Sequence, residues 1–256
     1  MRILAVGDVI GKPGRQACSV LLPDIREQYR LDLVILNAEN AASGRGVTPS
    51  IAEQLLDAGA DVLTSGNHVW AFREIIPYLD SEMPLLRPLN YPPGVPGRGY
   101  FTNDRYMVVN LLGRTFMNAV DCPFRAMDQL LSELGSSRPP VIIIDFHAEA
   151  TSEKVAMGRY LDGRVSAVLG THTHVGTIDT RVLPKGTAYV TDIGMVGPMD
   201  SIIGDDADLV LERFLTMLPN RLSVGKGRTM FNAVLVETDD TTGRATSIER
   251  ITREVD

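Results

Sequence analysis

This chain contains four histidines, and each stands at or just past the end of an apolar run. His68 follows Val62-Leu63-Thr64-Ser65-Gly66-Asn67, and His147 follows Val141-Ile142-Ile143-Ile144-Asp145-Phe146. His172 and His174 follow Val165-Ser166-Ala167-Val168-Leu169-Gly170-Thr171. Two more apolar runs, Ile3-Leu4-Ala5-Val6-Gly7 and Leu33-Val34-Ile35-Leu36, stop at Asp8 and at Asn37-Ala38-Glu39-Asn40. Buried strands that each end on a nitrogen or oxygen donor aim those donors at one sheet edge. Ligand sites of α/β folds lie there, outside the carboxyl ends of the strands.

The candidate metal ligands are therefore Asp8, Glu39, Asn40, Asn67, His147, His172 and His174. Imidazole and oxygen donors without thiolate suit Mn, Fe or Zn, and are softer than a site for Ca or Mg alone. Seven donors exceed what one ion takes, whereas two ions sharing the Glu39 carboxylate would use them all. Two divalent ions carry four positive charges against two negative ones from Asp8 and Glu39. The surplus suits a bridging hydroxide and an anionic substrate, which points to a phosphate ester. Paired ions can generate hydroxide near neutral pH and clamp phosphoryl oxygens during in-line attack. His68 adjoins Asn67 with its own imidazole free, and an imidazole changes charge near neutral pH, so it is the candidate general acid.

Each residue also has a plainer reading. A single histidine is most often a satisfied structural residue, but four of four at strand ends, two as His-x-His, count against that here. Asp8 could cap a turn, and Asn37 and Asn40 could bond their own backbone; Asn37 is given that role. Asp145 could orient a ligand from behind or be a core polar group. Arg45, in Ser43-Gly44-Arg45-Gly46, could touch a substrate phosphate or be a solvated loop charge, and Arg125 has the same two readings. Lys226 and Arg228 read as surface charge. Gly7 to Lys12 is not a phosphate loop, since Pro13 stands where a magnesium-binding Ser or Thr would be needed.

The elements that must position these groups alternate through the front half. Strands near 2–7, 32–37 and 61–65 are separated by helices near 13–29, opened by Pro13, and 48–59, with Thr48 and Pro49 at its start. That order implies parallel strands with right-handed crossovers. Residues 71–80 look helical, and five prolines between 84 and 96 interleave with glycines, which predicts a small cap or lid insertion around 71–105. Strands over 106–111 and 114–117, a helix near 124–134, the strand ending at His147, a helix over 151–161 and the strand ending near Gly170 come next. The tail reads as a strand near 187–191, a helix near 206–217, and a hairpin of 230–237 with 245–251. A second sheet packed on the first predicts a four-layer α-β-β-α sandwich.

Length and composition agree with a single α/β domain: 256 residues, 44% hydrophobic and 22% charged. A net charge of −7, from 25 basic and 32 acidic residues, argues against a stable nucleic-acid partner. No stretch approaches the roughly 18 apolar residues of a membrane span, and no basic, apolar leader precedes the first strand. The expectation is a cytoplasmic, soluble protein with no membrane partner; a homo-oligomer is only the common default. Cys18 and Cys122 form no framework or thiolate cluster and are expected to be buried and inert.

The motifs Gly7-Asp8-Val9, Gly66-Asn67-His68 and Gly170-Thr171-His172-Thr173-His174, with His147 between the last two, resemble those of the calcineurin-like metallophosphoesterases. More narrowly, Gly7-Asp8-Val9-Ile10-Gly11, Asn37-Ala38-Glu39-Asn40-Ala41-Ala42 and Asp192-Ile193-Gly194-Met195-Val196-Gly197-Pro198 resemble the YmdB-like branch. The resemblance covers nearly the whole chain. It implies one ion held by Asp8, Glu39, Asn40 and His174, a second by Glu39, Asn67, His147 and His172, and His68 as proton donor. It also implies cyclic-nucleotide hydrolysis, of 2′,3′-cyclic nucleotides in particular, with two divalent ions, Fe or Mn. Where the wider superfamily has a histidine two residues after the first aspartate, this chain has Ile10.

The expected function is therefore a dinuclear phosphodiesterase acting on a small phosphate ester. The alternatives are a phosphomonoesterase of the same fold, a regulatory protein whose metal site is a sensor, and a metal-dependent amide hydrolase.

Overall fold

The computed structural model describes residues 1–255. Its first half runs β1 (Arg2–Val6), β2 (Asp8–Val9), α1 (Gly11–Tyr29), β3 (Leu33–Asn37), α2 (Pro49–Asp57), β4 (Val62–Thr64), α3 (Ile76–Leu79), β5 (Tyr100–Thr102) and β6 (Tyr106–Leu112). There follow α4 (Pro123–Leu134), β7 (Val141–His147), α5 (Thr151–Leu161), β8 (Ala167–Thr171), β9 (Arg181–Val182), β10 (Ala188–Val190), β11 (Met195–Pro198), α6 (Ala207–Thr216), β12 (Thr229–Thr238) and β13 (Ala245–Val255).

Two sheets result. The first is ordered β2-β11-β12-β1-β3-β4, with β13 paired to β12; β1, β3 and β4 run parallel. The second is ordered β5-β6-β7-β8-β10-β9, with β6, β7, β8 and β10 parallel. Three apolar layers hold the sandwich together. Leu4, Val6, Val34 and Leu36 meet Ala17, Leu22 and Leu55 of α1 and α2. Ile3, Ala5, Leu33 and Ile35 face Ile143, Ala167 and Leu169 between the sheets. Ile142, Ile144 and Phe146 meet Met127, Leu130 and Met157 of α4 and α5. Strands buried on both faces must be apolar at every position, as β1, β3 and β7 nearly are. The architecture is the four-layer α-β-β-α sandwich expected from the sequence.

Local sequence explains most boundaries. Thr48 caps α2 by accepting the Ile51 N–H at 3.4 Å, and Pro49 fills the first helical position, where a missing N–H costs nothing. Three expectations need correction. Residues 114–117 form a turn rather than a strand: the Glu153 carboxylate accepts the N–H groups of Arg114 and Thr115 at 3.1 Å, and Phe116 takes φ 62°. A carboxylate from α5 thus replaces the strand neighbour that would have extended the sheet. The helix expected over 71–80 shortens to residues 73–79, because Phe72 is extended and Pro77 and Pro84 confine the chain around its end. Cys18 is buried, but Cys122 is only partly so, at the start of α4. Residues 80–99 carry no regular element beyond an isolated bridge of Leu85 to Leu63.

Gly7 shows how tightly the site edge is built. A Cβ there would stand 1.9 Å from the Gly194 carbonyl oxygen, which accepts the Asp8 N–H at 3.1 Å. Both sides of this clash are backbone, so neither can retreat cheaply. Gly7→Ala is therefore expected to cost more than about 2 kcal/mol in urea unfolding; a wild-type midpoint would show that the β2–β11 join is softer than drawn.

Candidate active site

Every proposed donor stands at the carboxyl end of a strand. Asp8 follows β1, Glu39 and Asn40 follow β3, Asn67 and His68 follow β4, His147 ends β7, and His172 and His174 follow β8. Asp8, Glu39, Asn40 and His147 are fully buried. Donor atoms of Glu39, His147 and His172 all lie within 4.8 Å of one another. His147 Nε2 is 3.0 Å from Glu39 Oε1, 3.0 Å from His172 Nδ1 and 3.2 Å from Asn67 Oδ1. Beside this group, Asp8 Oδ1 lies 3.8 Å from both His147 Nδ1 and His174 Nε2. His174 Nε2 is 3.1 Å from Asn40 Nδ2.

The protons can be assigned by elimination. The Thr171 hydroxyl donates to Asp145 Oδ1 at 2.6 Å, so at 3.0 Å it can only accept from His147 Nδ1–H. His147 Nε2 is then the nitrogen turned to the cluster. His172 Nε2–H donates to Glu149 Oε2 at 3.0 Å, which leaves Nδ1 facing inward. His174 Nδ1–H donates to the Ile203 carbonyl at 2.6 Å, which leaves Nε2 inward. Each imidazole is held by its outer nitrogen and offers the inner one, as metal-binding histidines do. Asn40 departs from that pattern as oriented: its carbonyl oxygen accepts from His68 Nδ1 at 2.8 Å and its amide nitrogen faces His174 and Glu39. Presenting oxygen to that corner requires turning the amide over, a change of nearly identical shape.

Electrostatics test whether cations fit here. Burial pushes the Asp8 carboxyl up to about 6, against the pull of His174 and His147. For Glu39 burial is outweighed by His147 and His68, which hold it well below the usual carboxylate range. Burial opposes a charge on His147, yet Glu39, Asp8 and Asp145 raise it to about 9. Burial and the neighbouring His147 lower His172 to about 3. A proton on His147 thus neutralises a cluster otherwise rich in lone pairs, and Asp8 Oδ1 is buried with no hydrogen-bond partner among the described residues. Gly66 leaves the floor clear, since a Cβ there would fall 2.1 Å from Glu39 Oε2. Such a donor set fits divalent cations.

Glu39, Asn40, His68, His172 and His174 line a cleft of about 290 Å³ together with Ile203 and Asp205. Arg45 is exposed and lines an adjoining hollow with Asn67, His68 and Trp70. Arg125 lies elsewhere, on a larger cavity of about 600 Å³ beside α4 that contains none of the metal donors. Size does not mark the chemistry here. Sequence reasoning missed Glu149, two residues past His147, because a half-exposed loop glutamate carries no periodic signal. It also missed Asp205, which reaches the cleft from isolated bridges to Ile202 and Val224 before α6. Asn37 does accept the local Glu39 N–H at 3.1 Å, but it also donates across to the other sheet, to Asp145 Oδ2 at 3.0 Å.

Residues 4–251 match the family described as YmdB-like protein. The chain is similar to the 2′,3′-cyclic-nucleotide 2′-phosphodiesterase of Bacillus subtilis, at 49% identity over 255 residues, 98% of this chain and 96% of that one. It is similar in structure to a hypothetical protein from Thermus thermophilus, with TM-score 0.93, 45% identity and 99% of each chain covered. The calcineurin-like phosphoesterase YfkN of Bacillus subtilis matches at TM-score 0.58 and 12% identity, over 98% of this chain and 90% of that one, a likeness of fold alone.

A cation entering this cluster must displace protons. His147 holds one up to about pH 9 and Asp8 a second up to about pH 6. Mn²⁺ affinity should therefore rise about tenfold per pH unit between 6 and 9, and more steeply below 6. Calorimetric titration in two buffers of different ionisation enthalpy reads the released protons. Affinity independent of pH across that window would contradict the assignment.

Proposed function

The chain belongs to the YmdB-like family, and from that premise we propose that it is a phosphodiesterase dependent on two divalent ions, Fe or Mn. Its substrate would be a small cyclic nucleotide, 2′,3′-cyclic before others, as the name of the Bacillus subtilis relative suggests. The observation that carries the reading is the inward-facing set of His147 Nε2, His172 Nδ1 and the buried Glu39 carboxylate, with unpartnered Asp8 Oδ1 beside it.

In this reading Asp8, Glu39, Asn40 and His174 hold one ion, and Glu39, Asn67, His147 and His172 the other. Bound ions would neutralise the phosphodiester and supply an activated water. The chain's own residues do the rest. His68 Nδ1 lies 2.8 Å from the Asn40 side-chain amide, with Glu39 Oε1 3.3 Å away, which fixes the ring and leaves Nε2 turned from those partners. With the Asn40 amide turned over to hold an ion, its N–H donates to His68 Nδ1 and Nε2 carries the proton. That nitrogen is the one to protonate the departing ribose oxygen. The water oxygen forms the new bond to phosphorus, the bond to one ribose oxygen breaks, and His68 supplies that oxygen's proton; a phosphomonoester leaves. Arg45, which lines the hollow that His68 shares, would bond a phosphate oxygen in this reading. The segment 71–105 acts as the cap: its Tyr91 packs edge-on against Trp70, with ring centroids 5.5 Å apart, and Trp70 walls that hollow.

His68→Ala should lower kcat on a 2′,3′-cyclic nucleotide about 10² to 10⁴-fold, the usual worth of a general acid. Metal content by elemental analysis should stay as in the wild type. Undiminished turnover would remove His68 from the mechanism. Turnover of nucleoside 2′- or 3′-monophosphates, with cyclic diesters left intact, would replace the diesterase reading with a phosphomonoesterase.

A further inference from the structure

The segment Asp192-Ile193-Gly194 lies between β10 and β11 and enters none of the chemistry above, yet its carboxylate is built into the back of the site. Asp192 is fully buried. Its Oδ2 accepts the Thr173 N–H at 3.1 Å, the Thr173 hydroxyl at 2.8 Å and Lys154 Nζ at 2.7 Å. Its Oδ1 accepts the Gly194 N–H at 2.8 Å. Lys154 comes from α5, is only 1% exposed and forms an ion pair with Asp192. A lysine is seldom buried without such a pairing.

Thr173 stands between two residues in an unfavourable conformation. His172 has φ 97° and His174 has φ 64°. Non-glycine residues leave that region unless their surroundings over-determine it. The conformation has a use. Residues two apart on an ordinary extended strand share a face but lie well separated along it. The left-handed turn instead brings His172 Nδ1 and His174 Nε2 to the two sides of one cluster. Asp192 grips the residue between them twice, at its N–H and at its hydroxyl. The same short segment fastens the other sheet's contribution, since Gly194 O accepts the Asp8 N–H at 3.1 Å.

We infer that Asp192, with its charge balanced by Lys154, is a positioning residue that holds the His172-Thr173-His174 turn through Thr173. The inference rests on the reading of both histidines as metal ligands under the proposed function. It adds that their pre-organisation is set by a group that touches neither cation nor substrate. Outer partners of ligating histidines commonly change metal affinity by about 10 to 100-fold.

The test uses Thr173→Val, which deletes the hydroxyl grip at constant shape, and Thr173→Ser, which restores it. Mn²⁺ titration of the whole chain should show Thr173→Val weakened about tenfold or more and Thr173→Ser near the wild type. The urea midpoint of metal-free Thr173→Val should stay close to that of the wild type. Histidine-selective ¹⁵N NMR of the metal-free proteins gives a readout independent of any cation. The His172 and His174 ring signals should broaden or shift in Thr173→Val and stay put in Thr173→Ser. A charge-free pair, Asp192→Asn with Lys154→Met, keeps one acceptor without stranding a buried ammonium, and should reproduce the Thr173→Val phenotype. If the Thr173→Val rings are unmoved and Mn²⁺ affinity is that of the wild type, the inference falls. If the wild type itself takes up no Mn²⁺ while the rings respond as described, the metal reading fails and the positioning role stands.

Discussion

Electron-rich groups crowded together out of water are the constraint this fold must satisfy. Glu39 Oε1, His147 Nε2 and His172 Nδ1 lie 3.0 Å apart in successive pairs, and the Asp8 carboxylate is fully buried beside them. Left to itself such a set repels, and each lone pair has lost its water. Protons can offset part of that, which is why His147 is driven up to about 9 and Asp8 to about 6. Divalent cations offset it far better, since each ion supplies two charges to several donors at once. The cost of gathering these donors is met by the apolar layers on either side of both sheets.

Those layers also explain why the donors come from such distant stretches of sequence. Parallel strands covered on both faces all deliver their following loops to one edge. Stacking two such sheets brings the ends of β1, β3 and β4 opposite those of β7 and β8. Around that edge the backbone is used at close quarters. Gly7 and Gly66 have no room for a Cβ, and His172 and His174 turn left-handed. Behind the candidate ligands stands a polar layer. Asp145 collects hydrogen bonds from Thr171 and Asn37 as well as Thr64, and Thr171 in turn orients His147. Rigid elements carry the donors, and hydrogen bonds from behind choose which ring nitrogen faces in.

Much of this was legible in the chain because its signals are local. Continuous apolar runs give β1, β3 and β7, Thr48-Pro49 gives the start of α2, and residue type at each strand end gives the candidate donors that the fold gathers at one edge. What stayed hidden depends on contacts made at long range. The two-residue β2 is too short for any periodicity, and it exists because β11 pairs with it. The 114–117 turn follows from a carboxylate in α5. Glu149, Asp192 and Lys154 look like ordinary charges in sequence, and only the fold buries one pair and sets the third against His172. Motif resemblance pointed at Asp192-Ile193-Gly194 without saying what it does.

The measurement that bears most directly on this picture is anomalous diffraction from crystals of the wild-type chain grown with manganese. Two peaks are expected, flanking the Glu39 carboxylate, one towards His147, His172 and Asn67 and the other towards Asp8 and His174. One peak remote from Glu39, or none while these side chains keep bonding one another, would contradict it.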